Sequence, residues 1–262
     1  MPRISGEDEP GVQAVALTMR LIEYIVLQRK SVGVTALAEA LGTTKSRISR
    51  HLHTLAELGF IAQDANNERY QVGPRLIGLG QKISDDLDIV AMATPILLKM
   101  RDDLGHLTVI SQVEEAGVRV LATLPSLSPI EIGVRKGTLL HFHASAQGKA
   151  ALAFCSPSIQ TRVLRARLTM FTPQTIVSPS QLQAQLDLIR RQGWAQGYNE
   201  TMLGVNTLAA PVFDATGRVV ATVGIVDSIQ FIEEQPSAEQ INQIMGAAAQ
   251  ISNLLGGQQP RD

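Results

Sequence analysis

The stretch that most constrains this chain runs from Gly42 to Phe60, GTTKSRISRHLHTLAELGF. Ile48, Leu52 and Leu55, followed by Leu58, recur every three or four residues, the spacing of one apolar helical face. Between them fall Thr44, Lys45, Ser46, Arg47, Ser49, Arg50 and His53. Burying the apolar stripe therefore leaves a basic, hydroxyl-rich surface on the opposite side. Gly59 stops the helix and Gly42 stops the segment before it, as a left-handed C-cap. In that earlier segment, VTALAEAL, Leu37, Ala38 and Leu41 point inward and Thr35 is the expected N-cap. Thr43 or Thr44 caps the longer helix. A short helix, a tight glycine turn and an amphipathic helix make a helix-turn-helix pattern.

The flanks extend this pattern. Upstream, VQAVALTMRLIEYIVLQRK predicts a helix whose apolar face is Val15, Met19, Ile22, Ile25 and Val26, with Arg29 and Lys30 at its C-terminus. Residues 1–10 are polar and end in Pro10, as in a disordered tail. Downstream, FIAQ and RYQV flank the turn-rich tetrad Asp64-Ala65-Asn66-Asn67, predicting a β-hairpin in the position of a wing, with Arg69 at its edge.

In a helix-turn-helix the N-terminal half of the second helix faces base edges in the major groove. Arg and Lys pair with guanine, Ser and Thr serve bases or phosphates, and the helix N-terminus attracts phosphate. The alternative is a three-helix bundle for protein contacts whose Lys and Arg are merely solvated. The order helix, helix, glycine turn, hydroxyl-rich helix, hairpin favours double-stranded DNA. The formal net charge of -1 excludes a wholly basic nucleic-acid coat but not a local DNA-reading surface.

A length of 262 residues predicts one or two domains. The N-terminus has no apolar signal segment, and no run reaches the roughly 18 apolar residues that span a bilayer. The single cysteine, Cys155, excludes an intrachain disulfide and fits a cytoplasmic protein.

After the hairpin, GPRLIGLGQKI places Leu76, Leu79 and Ile83 at helical spacing, predicting a linker helix over 75–89 after a DNA-binding domain of 11–74. Asp85, Asp86 and Asp88 form a polar break, with the domain boundary near residue 85. AMATPILLKMRDDLG is a further amphipathic helix. LTVISQV and VRVLATL then flank Glu114–Gly117, and LAAPVFD and RVVATVGIVD flank Ala215–Gly217, two hairpin signals. Residues 145–192 read as helices interrupted by Pro, and a final helix covers about Ala238 to Leu255. Strands bracketing helices predict an α+β domain over 90–257 with an antiparallel sheet.

Few residues invite chemistry. Ser145 and Lys149 stand four apart, the spacing of a Ser–Lys nucleophile pair; capping by Ser145 and close packing at Gly148 explain them better. His141 and His143 share one face if they lie on a strand, but no CxxC, HExxH or carboxylate cluster completes a metal site. Cys155 follows an apolar run, as a small buried hydrophobe does. Glu200 is either structural or part of a ligand loop. No cofactor, metal or catalytic set is expected, and the chain does not read as an enzyme.

Three motifs, in order, resemble the IclR-type transcriptional regulators: KSRISRHLHTLAELGFIAQD with RYQVGPRLIGLG, HFHASAQGKAALAF at His141–Phe154, and GWAQGYNETMLGVNTLAAPVFDATGRVVATVGIV. The resemblance covers about residues 11–255. It implies a winged helix-turn-helix domain joined by a linker helix to a GAF-like α/β sensor domain. It also implies a homodimer through the DNA-binding domains, often a dimer of dimers, acting on a palindromic operator. The resemblance places the effector pocket at Pro129, at the 130–140 segment with Ile132 and Leu140, at Ala146 and Gln147, and at Gly197, Val205, Thr207, Gly224 and Val226. Relatives that take very small oxo-acids carry an acid at the position of Gly197 and hydroxyls at those of Gly224 and Val226. This chain departs at all three, which removes polar anchors and predicts room at the two glycines. The expected effector is a larger, partly apolar organic acid, such as an aromatic or medium-chain one, although Gly224 equally suits a strand bulge. A constitutive DNA binder without a ligand is the alternative, and an enzyme using the C-terminal pocket a more distant one.

Overall fold

The computed structural model describes residues 12–257, apart from 29, 65, 66, 87, 130 and 131 and the side chains of 83–86. The expected tail over 1–10, Arg29, the middle of the hairpin turn, the side chains of Ile83, Asp85 and Asp86, and Ile130 lie outside the described residues. The chain divides between residues 87 and 88 into two compact units.

The first unit is arranged around one helix. Its elements are Gln13–Leu27 (α1), Val34–Ala40 (α2), Lys45–Glu57 (α3), Ile61–Gln63 (β1), Tyr70–Val72 (β2) and Pro74–Asp86 (α4). Ile48, Leu52 and Leu55 of α3 are buried against Leu21, Leu37 and Ile61. The Thr44 hydroxyl caps α3 by accepting from Arg47 N at 3.3 Å. Gly42 and Gly59 take the left-handed φ values of 64° and 75° that end α2's turn and α3. β1 and β2 pair antiparallel, Ile61 opposite Val72 and Gln63 opposite Tyr70. Tyr70 also bridges to Val32, which ties the wing to the segment before α2.

Four local expectations need correction. The buried face of α1 is Leu17, Leu21 and Ile25, whereas Val15, Met19 and Val26 are more than half exposed. Only Ile25 of the expected stripe is fully inside, because α1 carries two apolar stripes and the core selects the leucine one. Thr35 is not an N-cap: α2 starts one residue earlier, with Gly33 at the cap and no side-chain cap bond. Leu58 is exposed, since α3 ends at Glu57 and the chain turns away there. Asp85 and Asp86 belong to α4, so the break before the next helix is shorter than the three aspartates suggest.

The second unit opens with Ile89–Leu104 (α5), capped by Asp88 Oδ1, which accepts from Val90 N and Ala91 N. It continues through Leu107–Glu114 (β3), Gly117–Leu124 (β4), Leu139–Leu140 (β5), Ala146–Phe154 (α6), Pro157–Arg165 (α7), Pro179–Gln192 (α8), Ala195–Gln196 (β6), Val205–Phe213 (β7), Val219–Ser228 (β8) and Ala238–Leu254 (α9). The strands form one antiparallel sheet in the order β5-β4-β3-β8-β7-β6. Period-two alternation gives it two apolar faces. Ile110, Leu208, Val223 and Ile225 pack with α5 and α9. Val118, Ala209, Phe213 and Val219 pack with α6 and α8. The unit is thus a three-layer α+β sandwich. Among the described residues no helix is long and apolar enough to cross a membrane.

Helix α6 lies very close to the chain that precedes it. A Cβ on Gly148 would overlap the His141 carbonyl oxygen and lie 2.7 Å from Phe142 Cα and 2.8 Å from Ser145 Oγ. In an open helix, Gly→Ala gains about 0.5–1 kcal/mol. Here the overlap is with backbone, so it outweighs propensity. Gly148→Ala is expected to destabilise the protein by about 1–3 kcal/mol, read as a lower urea midpoint; an unchanged or raised midpoint would contradict the packing.

Candidate functional site

The exposed surface of α3 is composed as its sequence suggests. Thr44, Lys45, Ser46, Ser49, Arg50 and His53 are exposed and Arg47 is half-buried, all opposite the apolar stripe. His53 Nε2 lies 3.3 Å from Glu57 Oε1 one turn on, both in solvent. The helix is fixed from behind: Thr18 Oγ1 of α1 and His51 Nδ1 share a 2.8 Å hydrogen bond. Arg69 in the wing is exposed, but its Nε donates to the Ser31 carbonyl at 2.9 Å. That leaves its terminal nitrogens for another partner. Sequence reasoning passed over Thr54, which is also exposed one turn beyond Arg50 and whose hydroxyl bonds the Arg50 carbonyl at 3.2 Å. Its i+4 spacing from Arg50 was the available signal.

In the second unit, most of the expected effector residues come together on the α6 side of the sheet. Val226 is buried with Leu107, Val109 and Val120, and the half-buried Val134, Leu140 and Val205 close the cluster. Thr207 lies opposite Val226 in the β7–β8 ladder. Gly197 N donates to the Thr207 carbonyl at 2.8 Å. A Cβ on Gly197 would stand 2.7 Å from Thr207 Oγ1 and 3.0 Å from Ala146 N, so this loop touches both β7 and the start of α6. Ala146 and Gln147 are buried in the first turn of α6, and Gln147 Nε2 has no protein partner. Ile132 is half-buried, while Pro129 is exposed and outside the cluster.

The expected room at the two glycines is absent. Thr207 and Ala146 occupy the space above Gly197, and a Cβ on Gly224 would overlap the Leu208 carbonyl oxygen. Nor is Gly224 a bulge: it pairs with Val109 and Ala209 in unbroken register, and the irregularities lie at Ile110/Ser111 and Val212/Phe213. Glycine stands here because the neighbouring strand comes too near for a side chain.

The remaining candidates resolve into structural roles. Ser145 Oγ accepts from Gly148 N at 3.0 Å and donates to the His141 carbonyl at 3.0 Å, so it caps α6. Lys149 does not meet it; its Nζ donates to Glu200 Oε1 in a buried ion pair. Burial pulls the Lys149 ammonium below its ordinary value and pushes the Glu200 carboxyl above its own, and each opposite charge resists the other's shift. Glu200 Oε2 is buried without a partner. The Glu200 carbonyl accepts from Thr175 Oγ1 at 2.6 Å, which pins the loop from a second side.

His141 and His143 do not lie on a strand, because β5 ends at Leu140, but their rings are still 5.9 Å apart. Among the described residues no third His, Cys, Asp or Glu joins them as a metal site. Cys155 is buried, and burial raises its thiol to about 11, which suits a packing residue. A network that sequence reasoning missed joins His106 Nδ1 to Asp227 Oδ2 at 2.8 Å and His106 Nε2 to Gln240 Nε2 at 3.0 Å. Its members are 121 and 134 residues apart, too distant for any spacing pattern.

Two family models match the sequence: the IclR helix-turn-helix domain over residues 14–65, and Bacterial transcriptional regulator IclR C-terminal over residues 81–253. The chain belongs to the IclR family of DNA-binding transcriptional regulators. It is similar to the HTH-type transcriptional regulator KdgR of Dickeya chrysanthemi, with 28% identity over 87% of this chain and 75% of that protein. It is also similar to the Glycerol operon regulatory protein of Streptomyces griseus, with 27% identity over 94% of this chain and 97% of that one. Among solved structures, an ICLR transcriptional regulator from Silicibacter sp. TM1040 superposes with a TM-score of 0.74 at 25% identity, covering 94% of this chain and 97% of the other. The relatives are named as regulators, in keeping with a chain that is not an enzyme.

In this IclR-family chain the Lys149–Glu200 pair holds α6 to the loop that ends at Gly204. Removing one partner of a buried pair leaves an uncompensated charge and costs about 3–5 kcal/mol, whereas replacing both is often nearly neutral. Lys149→Met is therefore expected to destabilise by about 3–5 kcal/mol. Lys149→Met combined with Glu200→Leu is expected to regain most of that loss. Chemical denaturation of the four members of the cycle checks this, and additive losses would show that the pair is not a unit.

Proposed function

We propose that α3 reads a palindromic operator and that the second unit holds a small organic acid which changes operator affinity. The observation that carries the DNA half is the division of α3: its apolar stripe is buried and its capped N-terminal half offers Lys45, Arg47 and Arg50 among hydroxyls. In this reading 11–74 is the DNA-binding domain, with Thr44, Lys45, Ser46, Arg47, Ser49, Arg50 and His53 toward the major groove and Arg69 toward the backbone. Residues 75–89 are the linker helix and 90–257 the effector domain. The protein acts in the cytoplasm.

The homodimer reading is supported by the stripe of α1 that the core does not use. Val12, Val15, Met19 and Val26 are all more than half exposed at spacings of three, four and seven. A monomer seldom leaves such a row in water. Paired recognition helices then meet two half-sites, and a dimer of dimers through the effector domains extends the same arrangement.

Ligand chemistry follows from the cluster at Val226. Its walls are aliphatic, its polar groups are the Thr207 hydroxyl and the start of α6, and no carboxylate stands at Gly197. An acid group at the α6 N-terminus, with an aromatic or medium-chain body among the valines, suits this composition. Because the glycine positions are filled, selectivity rests on Val205, Val226 and Leu140 rather than on extra space. An effector acts by its differential affinity for two states of the protein.

The test is fluorescence anisotropy on duplex DNA from the region beside the chain's own gene, with scrambled competitor, several salt concentrations and a panel of organic acids. The expected result is competitor-resistant binding with a steep salt slope, shifted by an aromatic or medium-chain acid but not by two-carbon acids. Arg50→Ala should weaken it by about 1–3 kcal/mol. Salt-insensitive binding that Arg47 and Arg50 do not influence would contradict the reading.

A further inference from the structure

A cleft in the C-terminal unit lies apart from the Val226 cluster and takes in the His141–His143 pair. It holds about 480 Å³ between the β3–β4 turn, the segment from His141 to His143, and the end of α7 with the residues up to Thr169. That volume is in the range of small-molecule sites. It lies apart from Gly197, Thr207, Gly224 and Val226, none of which lines it.

The walls divide into two kinds. Phe142, Val163 and Leu168 are apolar. Arg162, Arg167, His141 and His143 supply positive or proton-binding groups, against a single carboxylate, Glu115. Arg162 donates from Nη2 to the Glu115 backbone carbonyl, which holds the turn to α7 and orients the guanidinium. Arg167 has no hydrogen bond or ion pair among the described residues. His143 is only 5% exposed, and its Nε2 is fixed by the Thr169 carbonyl at 2.9 Å. The His141 ring makes no hydrogen bond among the described residues; it lies 5.0 Å from the Phe171 ring, tilted by 39°. The cleft therefore combines one guanidinium without a partner among the described residues, Arg167, a second anchored through one nitrogen, Arg162, and a lining that is partly apolar and partly aromatic.

We propose that this cleft is a second ligand site that binds an amphipathic organic carboxylate, its anion on Arg167 and Arg162 and its apolar body against His141, Phe142 and Leu168. Guanidinium groups bind carboxylates through charge-assisted, two-point hydrogen bonds. An inorganic anion would leave the apolar walls wet, and a neutral aromatic would leave the Arg167 guanidinium without a counter-charge, so both halves of the ligand are required. The occupied cleft would also press on functional structure, because the His141 carbonyl accepts the hydroxyl of Ser145, the cap of α6.

The test uses the full-length protein with benzoate as probe, following the imidazole Hε1 resonances of His141 and His143, assigned by His→Gln substitution. Benzoate is expected to shift both resonances saturably, and inorganic phosphate at equal ionic strength is expected not to. Arg167→Gln, on an exposed side chain that leaves the fold intact, is expected to weaken binding roughly tenfold or more, as the loss of a charge-assisted pair does. Val226→Trp, which fills the other site, should leave these shifts in place. No saturable shift up to the solubility limit of benzoate would overturn the proposal. So would shifts that survive in Arg167→Gln but vanish in Val226→Trp, which would place the probe at the Val226 cluster. Equal shifts from phosphate would reduce the cleft to a simple anion site and overturn the amphipathic class.

Discussion

The constraint on which the first unit depends is the division of one helix between oil and water. Burying Ile48, Leu52 and Leu55 fixes the rotation of α3, and the Thr18–His51 hydrogen bond sets it against α1. Once that rotation is fixed, the orientation of Lys45, Arg47 and Arg50 follows without any interaction of their own. Their side chains need only remain solvated and mobile enough to meet a nucleic-acid surface. A core that costs nothing in surface freedom suits a site whose partner arrives from outside.

The second unit solves the opposite problem, since its proposed ligand must be enclosed. Helix α6 is the fixed reference. Its cap is Ser145, its glycine abuts the preceding chain, and its lysine reaches through the interior to Glu200. The loop carrying Gly197 is thereby held against Thr207 and the start of α6. A buried ion pair is weak evidence of net stability; here it ties α6 to the loop at Glu200.

How much of this was legible in the sequence depended on distance along the chain. The helix-turn-helix, the wing and both sensor hairpins rest on local turn chemistry and periodicity, and those signals are complete within twenty residues. The α6 cap at Ser145 was readable for the same reason. The inner stripe of α1 was not, because Leu17-Leu21-Ile25 and Val15-Met19-Val26 are equally apolar, and only the packing partner distinguishes them. Gly224 was misread for a related reason. A glycine signals that a side chain is absent, not whether open space or a neighbouring carbonyl takes its place. The pairing of Lys149 with Glu200, 51 residues apart, has no local trace at all.

The role proposed for α3, selecting base sequence as one half of a two-fold pair, leaves a direct trace on DNA. The most direct measurement is selection of bound sequences from a random duplex library by the purified full-length protein, repeated with Arg47→Ala/Arg50→Ala. The expected result is enrichment of a palindrome whose half-sites are spaced by about one helical turn, roughly 10 base pairs, or a multiple of it, with enrichment lost in the double variant. A library that remains random, or a single non-palindromic site enriched equally by both proteins, would contradict it.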